Sequence, residues 1–403
     1  MSDTCFRGAG GSSYNLGFME NTTPVACLSL SSQPNHKYLS APAQHSPLLL
    51  PSNPPALVKS EKESGQVGHR GTVRDYPGFS PSVDAEAIRK AIRGIGTDEK
   101  TLISILTERS NAQRQLIVKE YQAAYEKKLK DDLKSDLSGH FEHLMVALVT
   151  PPAVFDAKQL KKSMKGAGTD EDALIEILTT RTSRQMKEIS QAYYTVYKKS
   201  LGDDISSETS GDFRKALLTL ADGRRDESLK VDEQLAKKDA QILYNAGEKK
   251  WGTDEDKFTE ILCLRSFPQL KRTFDEYRNI SQKDIEDSIK GELSGHFEDL
   301  LLAIGKLLSA SKLSYFALDV NNVGGAGTDE FTLNRIMVSR SEIDLLDIRA
   351  EFKKRCGYSL YSAIKLKSSG KPLKNVRFKH IVSSLEVHFE MVPETVEDEL
   401  DRR

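Results

Sequence analysis

The amino-acid sequence predicts an all-α protein made of four repeats, and three observations support that class. A glycine-rich turn that ends in Gly-Thr-Asp-Glu occurs four times in the 403 residues. An arginine and then another glycine follow each turn, and both stand at the same distance from it in all four copies. Between these landmarks apolar residues recur every three or four positions, as on one face of a helix, and the alternation typical of strands is absent.

The four turns define the repeat unit. They extend over Gly94–Glu99, Gly166–Glu171, Lys250–Glu255 and Gly325–Glu330, so the linker between the second and third copies is the longest. The arginines are Arg109, Arg181, Arg265 and Arg340, and the later glycines, called landmark glycines below, are Gly139, Gly211, Gly295 and Gly370. Fixed spacings in four copies indicate one structural unit used four times.

A helix is expected to begin directly after each turn. Thr97 is predicted to be its N-cap, with Asp98 and Glu99 in the first helical turn, where negative charge is stabilised. The same is expected after Thr169, Thr253 and Thr328. The helical period of the first repeat is carried by Ile88, Ala91, Ile92, Leu102, Ile103 and Leu106. Further helices near Ala112–Tyr125, Met186–Tyr197, Ser138–Leu148, Ser210–Leu220 and Ser294–Ile304 give about five short helices per repeat.

The chain divides into four repeats and two tails. Residues 1–66 contain seven of the 14 prolines and no helical period, which predicts a disordered tail. A regulatory arm that binds a partner or is phosphorylated is the alternative for this segment. Residues 79–150, 151–222, 235–307 and 311–382 are predicted to form the repeats, the last of them degenerate, and residues 383–403 an acidic tail.

The fourth repeat departs from the other three at both ends. It has Asp319 six residues before its turn, where the others have an apolar residue, and Asn321 and Asn322 that follow are poor helix formers. Two residues after the landmark glycine it has Pro372. The other repeats have a phenylalanine there: Phe141, Phe213 and Phe297. An irregular start and end are therefore predicted for this repeat.

Composition and charge argue against several classes of protein. The net charge of −1 gives no standing attraction to nucleic acid, so no nucleic-acid partner is expected. No stretch approaches the roughly 20 apolar residues of a membrane span, and the N-terminus lacks the pattern of a signal peptide. Four scattered cysteines do not predict a disulfide framework, so a reduced, cytoplasmic setting is expected.

The third position before each landmark glycine carries the candidate chemistry. It holds Asp136, Glu208 and Glu292 in the first three repeats and Lys367 in the fourth. A glycine-rich turn exposes backbone carbonyls, because glycine adopts conformations that other residues resist. Carbonyl and carboxylate oxygens suit Ca²⁺, and one turn plus one acid leaves it short of its usual roughly 6–8 ligands. Water or a lipid phosphate would complete the set, so Ca²⁺ would bridge the protein to an anionic membrane.

Other interpretations of the turn fit less well. A dinucleotide-binding turn needs a third glycine where Glu99 and Glu171 stand, and a phosphate-binding loop needs Gly-Lys-Ser/Thr. An EF-hand needs its acid within the same short loop. The simplest alternative is a turn that only links helices, with the acid as a surface charge. One spacing kept in three repeats favours the calcium site.

The remaining candidate residues receive structural interpretations. Each repeated arginine is expected to tie helix ends together from a buried or half-buried position. His140 and His143 lack the Cys or Asp partners of a metal site and are assigned to a solvated helix face. Trp251 in the third turn is expected either to enter a lipid interface or to pack inward.

These features resemble the annexin family. The resemblance rests on the four turns, on the arginine and the acid that follow them at fixed spacings, and on the third-turn variant Lys250–Thr253. Residues 67–76 and 206–214 resemble one particular branch of that family. The resemblance covers residues 67–306 and 325–366. It implies a curved disk of four five-helix repeats whose convex face binds Ca²⁺ and docks on phosphatidylserine-type membranes.

The resemblance also implies which atoms bind the ion. In each of three sites, backbone carbonyls of the turn act together with one carboxylate. The implied ligand sets are Ile92, Gly94, Gly96 and Asp136, then Met164, Gly166, Gly168 and Glu208, then Gly247, Lys250, Gly252 and Glu292. The fourth site is expected not to bind Ca²⁺, because the ammonium group of Lys367 would repel it.

Three segments depart from the family pattern. Residues 1–66 are not its short N-terminal segment, residues 305–324 do not resemble the first helix of its fourth repeat, and residues 367–403 replace its last helix. An alternative transcript and a faulty gene model would each explain this pattern.

The leading hypothesis is calcium-dependent binding to anionic phospholipid membranes without catalysis. A monomer that is cytoplasmic and reversibly associated with membranes is expected. The resemblance also implies that phospholipase A2 would be inhibited by the covering of its substrate. The alternative is a helical-repeat scaffold that binds proteins and has vestigial calcium sites. An enzyme is not expected, because no nucleophile with a base and no catalytic metal cluster is apparent.

Overall fold

The computed structural model describes residues 70–94, 96–166, 168–248, 252–309, 315–317, 330–360 and 362. Every regular element within these ranges is a helix, so the predicted all-α class is confirmed. The predicted tails at 1–66 and 383–403 lie outside the described residues. So do the fourth turn as far as Asp329 and the departures predicted at Asp319, Asn321, Asn322, Lys367 and Pro372.

Each of the first three repeats contains five helices in the same order. Repeat one has α1 (Pro81–Ala91), α2 (Glu99–Glu108), α3 (Asn111–Tyr125), α4 (Leu129–Asp136) and α5 (Gly139–Leu148). Repeat two has α6 (Pro152–Ser163), α7 (Glu171–Thr180), α8 (Ser183–Tyr197), α9 (Leu201–Glu208) and α10 (Gly211–Ala221). Repeat three has α11 (Glu233–Ala246), α12 (Glu255–Leu264), α13 (Phe267–Ser281), α14 (Ile285–Glu292) and α15 (Gly295–Ser309). Repeat four contributes α16 (Glu330–Arg340) and α17 (Leu345–Cys356).

Capping interactions decide where the third helix of each repeat begins. Ser110 accepts a hydrogen bond from the backbone N–H of Gln113, whose side chain bonds back to the backbone of Ser110. Thr182 and Gln185 form the same reciprocal pair at the start of α8. Because these caps satisfy N–H groups that have no partner inside the helix, α8 begins at Ser183 and not at the predicted Met186.

The apolar positions that carry the helical period form the core. Ile88, Leu102 and Leu106 have no exposed surface, and Ala91 and Ile103 are also buried. The phenylalanines two residues after the landmark glycines are buried as well: Phe141, Phe213 and Phe297. Within each of these repeats the first helix packs against the third, as α1 does against α3 and α6 against α8. Burial of one helix stripe against its neighbours is the expected source of stability.

The repeats also pack against one another. Helix α10 of repeat two contacts α12 and α15 of repeat three, and α16 of repeat four contacts α5 of repeat one. Repeats two and four are joined by a buried ion pair in which Nε of Arg335 lies 2.7 Å from Oε2 of Glu176. One continuous core of buried residues extends from Val73 to Leu360.

The segment before α1 binds repeat four. The backbone N–H of Val73 donates to the carbonyl of Ser341 at 3.0 Å, and the N–H of Leu346 donates to the carbonyl of Arg70 at 3.0 Å. A side chain at Gly71 would be blocked, because a Cβ there would lie 2.5 Å from the carbonyl carbon of Glu342. Residues 70–73 therefore form an N-terminal strap, named so below, that requires glycine at position 71.

In the part of the chain that the structure describes, no helix combines the length and the apolar character that crossing a bilayer requires.

Candidate metal centres

The three turns share two backbone features among their described residues. Each is closed by a hydrogen bond from the aspartate that follows the Gly-Thr pair to the last carbonyl of the preceding helix. The distances are 2.9 Å from Asp98 N to Ala91 O, 2.8 Å from Asp170 N to Ser163 O and 2.9 Å from Asp254 N to Ala246 O. The last glycine of each turn has a positive φ: 90° at Gly96, 102° at Gly168 and 87° at Gly252. Glycine is favoured there because this backbone conformation strains other side chains.

The predicted N-caps Thr97, Thr169 and Thr253 are wrong by one residue, whereas Thr328 lies outside the described residues. The cap of α2 is Asp98, whose side chain accepts from the N–H of Thr101, and the cap of α7 is Asp170, which accepts from the N–H of Ala173. Asp254 is likewise the N-cap residue of α12, without a side-chain hydrogen bond of that kind. The threonine is not available as a cap because its hydroxyl is used elsewhere.

The threonine hydroxyl joins the turn to the distant acidic residue. Thr97 Oγ1 donates to Oδ2 of Asp136 at 2.6 Å. Thr169 Oγ1 donates to the backbone carbonyl of Glu208 at 3.4 Å, and Thr253 Oγ1 to that of Glu292 at 3.2 Å. Residues 39 positions apart are thus in contact in three repeats. The structure therefore brings each described turn and the acid predicted for it together.

Each acid lies at the end of the fourth helix of its repeat, and a buried tyrosine anchors that helix. The hydroxyl of Tyr121 donates to Oδ2 of Asp132 at 2.7 Å, and burial together with this carboxylate raises the pKa of Tyr121 to about 12. In repeat two Tyr193 donates to Asp204. In repeat three Tyr277 donates to Ser288 at 2.9 Å. These anchors hold the helices that end at the candidate metal ligands.

In repeat two the carboxylate that the anchoring tyrosine contacts also has two lysine partners. Asp204 accepts from Lys161 at 2.6 Å and also from Lys199 and Tyr193. Burial by itself would raise the pKa of Asp204, but the hydrogen bonds from Lys161, Lys199 and Tyr193 outweigh it and lower that pKa to about 2. The carboxylate is therefore ionised at neutral pH and fixed in position.

Sequence reasoning missed the anchoring tyrosines. The signal was present, because the tyrosine precedes its partner by 11 residues in each of the three repeats. The partner changes from aspartate to serine in repeat three, so the repeated feature is a hydrogen bond and not a repeated charge.

A glycine also turns the chain just beyond each acid. Gly139, Gly211 and Gly295 have φ values of 65°, 61° and 68° and begin the last helix of their repeats. This left-handed conformation explains why glycine recurs at the landmark position.

The third turn differs from the first two. It is one residue longer between the two ends of its closing hydrogen bond. Gly247 has φ −106° and ψ −94°, whereas the corresponding Ile92 has φ −102° and ψ 2°. Lys250 and Trp251 lie outside the described residues, so the predicted ligand at Lys250 and both interpretations of Trp251 stay predictions.

Glu248 in the third turn has a structural role that the sequence did not indicate. Its carboxylate accepts from Nζ of Lys283 at 2.9 Å and from Oγ of Ser288 at 2.8 Å. These bonds lower the pKa of Glu248, with the Lys283 hydrogen bond as the largest cause. They connect the third turn to the helix that ends at Glu292.

The acids of repeats two and three border a common groove. The groove has a volume of 420 Å³ and is lined by Glu171, Glu208, Glu255, Glu292, Asp212 and His296 among others. Nε2 of His296 lies 3.7 Å from Oε1 of Glu171. Burial and the nearby charges of Asp170 and Asp299 raise the pKa of Asp172, which also interacts electrostatically with His296. The groove is therefore a region of negative charge, which would attract cations.

The repeated arginines do tie helix ends together, as predicted. Arg181 donates from Nε to Oδ2 of Asp156 at 2.7 Å and from Nη2 to Oδ1 of the same residue at 3.0 Å. The equivalent pairs are Arg109 with Asp84 and Arg265 with Asp239. Each links the end of the second helix to the first helix of its repeat.

The histidine pair lies between helices of two repeats. The rings of His140 and His143 contact Phe331 of α16, with centroids 5.6 and 5.5 Å from it. His143 is exposed but His140 is half-buried, so the predicted solvated face holds only for His143. Among the described residues, no group of three or more His, Cys, Asp or Glu side chains could hold a metal ion.

The described donors fit Ca²⁺. A turn carbonyl and a carboxylate provide only oxygen atoms, which Ca²⁺ prefers. A Cβ placed on Gly94, Gly96, Gly166, Gly168 or Gly252 would meet no atom within 4 Å, so the space beside each turn is open. Each site has a single carboxylate, so its side chains alone do not form a cluster of metal ligands. Open space and hard oxygen donors agree with a site that leaves positions for outside ligands.

The fold and the paired turns define a class: all-α proteins of four repeats, with glycine-rich turns that meet distant acids. Residues 83–148, 155–220, 238–304 and 321–374 match the family model of annexin. The chain belongs to the annexin family, whose members generally bind phospholipid in a calcium-dependent manner. The resemblance found in the sequence is thereby confirmed.

Individual relatives agree with this assignment. Annexin A3 of Homo sapiens is 86% identical over 304 residues, which cover 75% of this chain and 94% of that protein. The solved structure of annexin III is 82% identical, with a TM-score of 0.76, and covers 79% of this chain and 97% of that one. The structure of calcium-bound annexin (Sm)1 is 34% identical, with a TM-score of 0.70, and covers 79% of this chain and 93% of that one.

Proposed function

We propose that this protein binds anionic phospholipid membranes through Ca²⁺ ions held at three sites. Site one would use the carbonyls of Ile92, Gly94 and Gly96 with Asp136. Site two would use Met164, Gly166, Gly168 and Glu208, and site three Gly247, Lys250, Gly252 and Glu292. The proposal depends mainly on one observation: the threonine hydroxyl of each turn contacts the residue that supplies the carboxylate.

The role of Ca²⁺ would be to join two negatively charged partners. The chain has a net charge of −1, so it has no cationic excess that would attract an anionic bilayer. A divalent ion bound by carbonyls and one carboxylate keeps positive charge and open coordination positions. Lipid phosphate oxygens would fill these positions, so binding would end when the ion is removed. The fourth repeat would not contribute, because Lys367 stands where the acid belongs.

Co-sedimentation with vesicles of phosphatidylserine and phosphatidylcholine tests the proposal. The protein should pellet with the vesicles in Ca²⁺ and stay in the supernatant in excess chelator. The combined variant Asp136→Asn, Glu208→Gln and Glu292→Gln should lose binding, since it removes three carboxylate charges and keeps the side-chain shapes. Binding that persists in chelator would instead support a protein-binding scaffold with vestigial calcium sites.

The chain offers a matched control for this variant. Asp131, Asp203 and Asp287 are exposed and lie five residues before the three acids on the same helices, α4, α9 and α14. The variant Asp131→Asn, Asp203→Asn and Asp287→Asn removes the same charge from the same helices and should bind normally. If both variants lose binding equally, a general charge effect explains the result and the three sites are refuted.

We also propose that the protein acts by binding and not by catalysis, as a cytoplasmic monomer that associates reversibly with membranes. Inhibition of phospholipase A2 would then follow from the covering of its lipid substrate. Such inhibition should require Ca²⁺ and should disappear when vesicles are added in excess over the protein. Inhibition that persists with excess lipid would indicate direct contact with the enzyme and contradict this mechanism.

A further inference from the structure

We infer that the hydroxyl of Thr97 is a positioning group for the carboxylate of Asp136. The calcium affinity of site one therefore depends on the Thr97 hydroxyl more strongly than the affinities of sites two and three depend on the hydroxyls of their threonines. The inference rests on the proposed function, because it concerns how one of its three sites is built. It is based on a difference between the repeats that their shared sequence pattern does not show.

The threonine has a different acceptor in repeat one. Thr97 Oγ1 donates to the side-chain oxygen Oδ2 of Asp136 at 2.6 Å. Thr169 and Thr253 donate to the backbone carbonyls of Glu208 and Glu292, at the longer distances of 3.4 and 3.2 Å. In repeat one the hydroxyl therefore fixes the ligating group itself, whereas in the other two it fixes the main chain that carries the ligand.

The length of the acid explains this difference. An aspartate carboxylate is one methylene closer to the backbone than a glutamate carboxylate, a difference of about 1.5 Å along the chain. The shorter side chain of Asp136 has less reach toward the turn carbonyls, so its orientation matters more. Asp136 is also half-buried, whereas Glu208 and Glu292 are exposed. The carboxylate of Glu208 accepts only a long hydrogen bond, at 3.5 Å from Oγ of the neighbouring Ser207. The two exposed glutamates are therefore freer to adjust to the ion than Asp136.

The chemistry of the bond suits a positioning role. A hydroxyl that donates to a carboxylate at this distance forms a charge-assisted hydrogen bond, which is stronger than a neutral one. The hydroxyl is neutral, so it leaves the negative charge on Asp136 for the cation, and it bonds Oδ2 and not Oδ1. Hydrogen-bond partners of metal ligands typically orient them, and their loss lowers metal affinity by roughly 10–100-fold.

Competition between the hydroxyl and the ion would have the opposite effect. If the hydroxyl held the carboxylate away from the ion, Ca²⁺ would have to break the bond with Thr97. Removal of the hydroxyl would then increase affinity. The sign of the change therefore separates positioning from competition.

Single-site backgrounds make the measurement specific. The full-length chain with Glu208→Gln and Glu292→Gln retains only site one, and the chain with Asp136→Asn and Glu292→Gln retains only site two. Equilibrium dialysis with radioactive Ca²⁺ reports binding of the metal alone, and the Ca²⁺ concentration for half-maximal binding to phosphatidylserine vesicles reports the bridge. In the site-one background, Thr97→Val should lower affinity about 10-fold in both measurements.

Two further variants separate positioning from a merely structural role. Thr97→Ser keeps the hydroxyl and should retain the affinity. Adding Asp136→Glu to Thr97→Val supplies the longer acid used in sites two and three, and it should restore most of the affinity although the hydroxyl is still missing. In the site-two background, Thr169→Val should change affinity by less than about threefold, because its hydroxyl bonds only the main chain.

Three outcomes would overturn the inference. If Asp136→Asn abolishes binding in the site-one background, an unchanged or increased affinity in Thr97→Val would overturn the inference and leave the proposed function standing. Failure of Asp136→Glu to restore the affinity of Thr97→Val would show that the hydroxyl supports the fold of the turn and not the acid. Site-one binding that survives Asp136→Asn would refute both the inference and the proposed function of that site.

Discussion

Arg340 and Asp344 form an ion pair four residues apart in sequence, with Nε and Oδ1 separated by 2.7 Å. In repeats one to three the equivalent arginine reaches back to an aspartate in the first helix of its repeat. The corresponding position in repeat four is Tyr315, which has no carboxylate. The guanidinium carbon of Arg340 lies 4.7 Å from the ring centroid of Phe316, so an aromatic contact takes the place of the long-range ion pair.

The buried pair of Arg181 with Asp156 in repeat two should contribute strongly to stability. Asp156→Ala would leave Arg181 buried without its main counter-charge, since their side chains are only 9% and 3% exposed. We expect the free energy of unfolding to fall by about 3–5 kcal/mol, measured by urea denaturation. Glu188→Ala breaks an exposed pair with Arg184 and should change it by less than about 1 kcal/mol. Equal effects of the two variants would contradict this prediction.

The N-terminal strap should tolerate no side chain at position 71. In Gly71→Ala the new Cβ would lie 2.5 Å from the carbonyl carbon of Glu342, so the strap or the turn between α16 and α17 must move. We expect a loss of about 1–3 kcal/mol in the free energy of unfolding and faster proteolysis at the strap. Gly291→Ala is the control, because a Cβ there meets nothing within 4 Å. A Gly71→Ala protein as stable and as resistant as this control would refute the close contact.

Part of the stability that the protein loses on acidification should come from Asp204. Its pKa in the folded protein is about 2, below the ordinary value of 3.8, so the fold favours its charged form. This contribution is present above pH ~4 and is lost as the pH falls from about 4 to about 2. Asp204→Asn should therefore lower the free energy of unfolding by about 2 kcal/mol at pH 7, and by much less near pH 2. Urea denaturation at both pH values measures this.

A neighbouring aspartate provides the control for that measurement. Asp203 lies next to Asp204 on α9 but is exposed. Asp203→Asn should leave the difference between neutral and low pH unchanged. If Asp204→Asn lowers stability equally at pH 7 and pH 2, its role is packing and not charge.

The two described cysteines should differ in reactivity. Cys263 is fully buried, and burial raises the pKa of its thiol to about 12, whereas Cys356 is half-buried. Because the thiolate is the reactive form, iodoacetamide should label Cys356 in the native protein and Cys263 only after unfolding. Peptide mapping by mass spectrometry assigns the labelled positions. Similar labelling rates at the two cysteines in the native protein would show that the α12 region opens readily.

Much of the architecture was predictable because it depends on local chemistry. The helical period of residues such as Leu102 and Leu106 indicated the core face, and both are fully buried. Fixed spacings identified the turns and the distant acids, and the structure places Thr97 against Asp136 and Thr253 against Glu292. The family followed from the same spacings. Short stretches of sequence are enough to show where the backbone requires glycine and which positions form the buried stripe of a helix.

Other features depended on contacts between residues far apart in the chain. Thr97 is a residue type that favours the N-cap position, yet its hydroxyl donates to Asp136, and Asp98 is the N-cap of α2. Thr97 bonds a carboxylate oxygen, whereas Thr169 bonds a backbone carbonyl, although the two turns are nearly identical in sequence.

The sequence by itself therefore determined the helical class, the repeat, the family and the candidate ligands. The tertiary structure decided the partners: which carboxylate each arginine reaches, which tyrosine holds each acid-bearing helix, and whether a threonine fixes a ligand or the main chain. Hydrogen bonds require atoms to approach within about 3 Å. That proximity is set by the packing of whole helices, so a difference of one methylene between Asp136 and Glu208 changes the partner without changing the pattern.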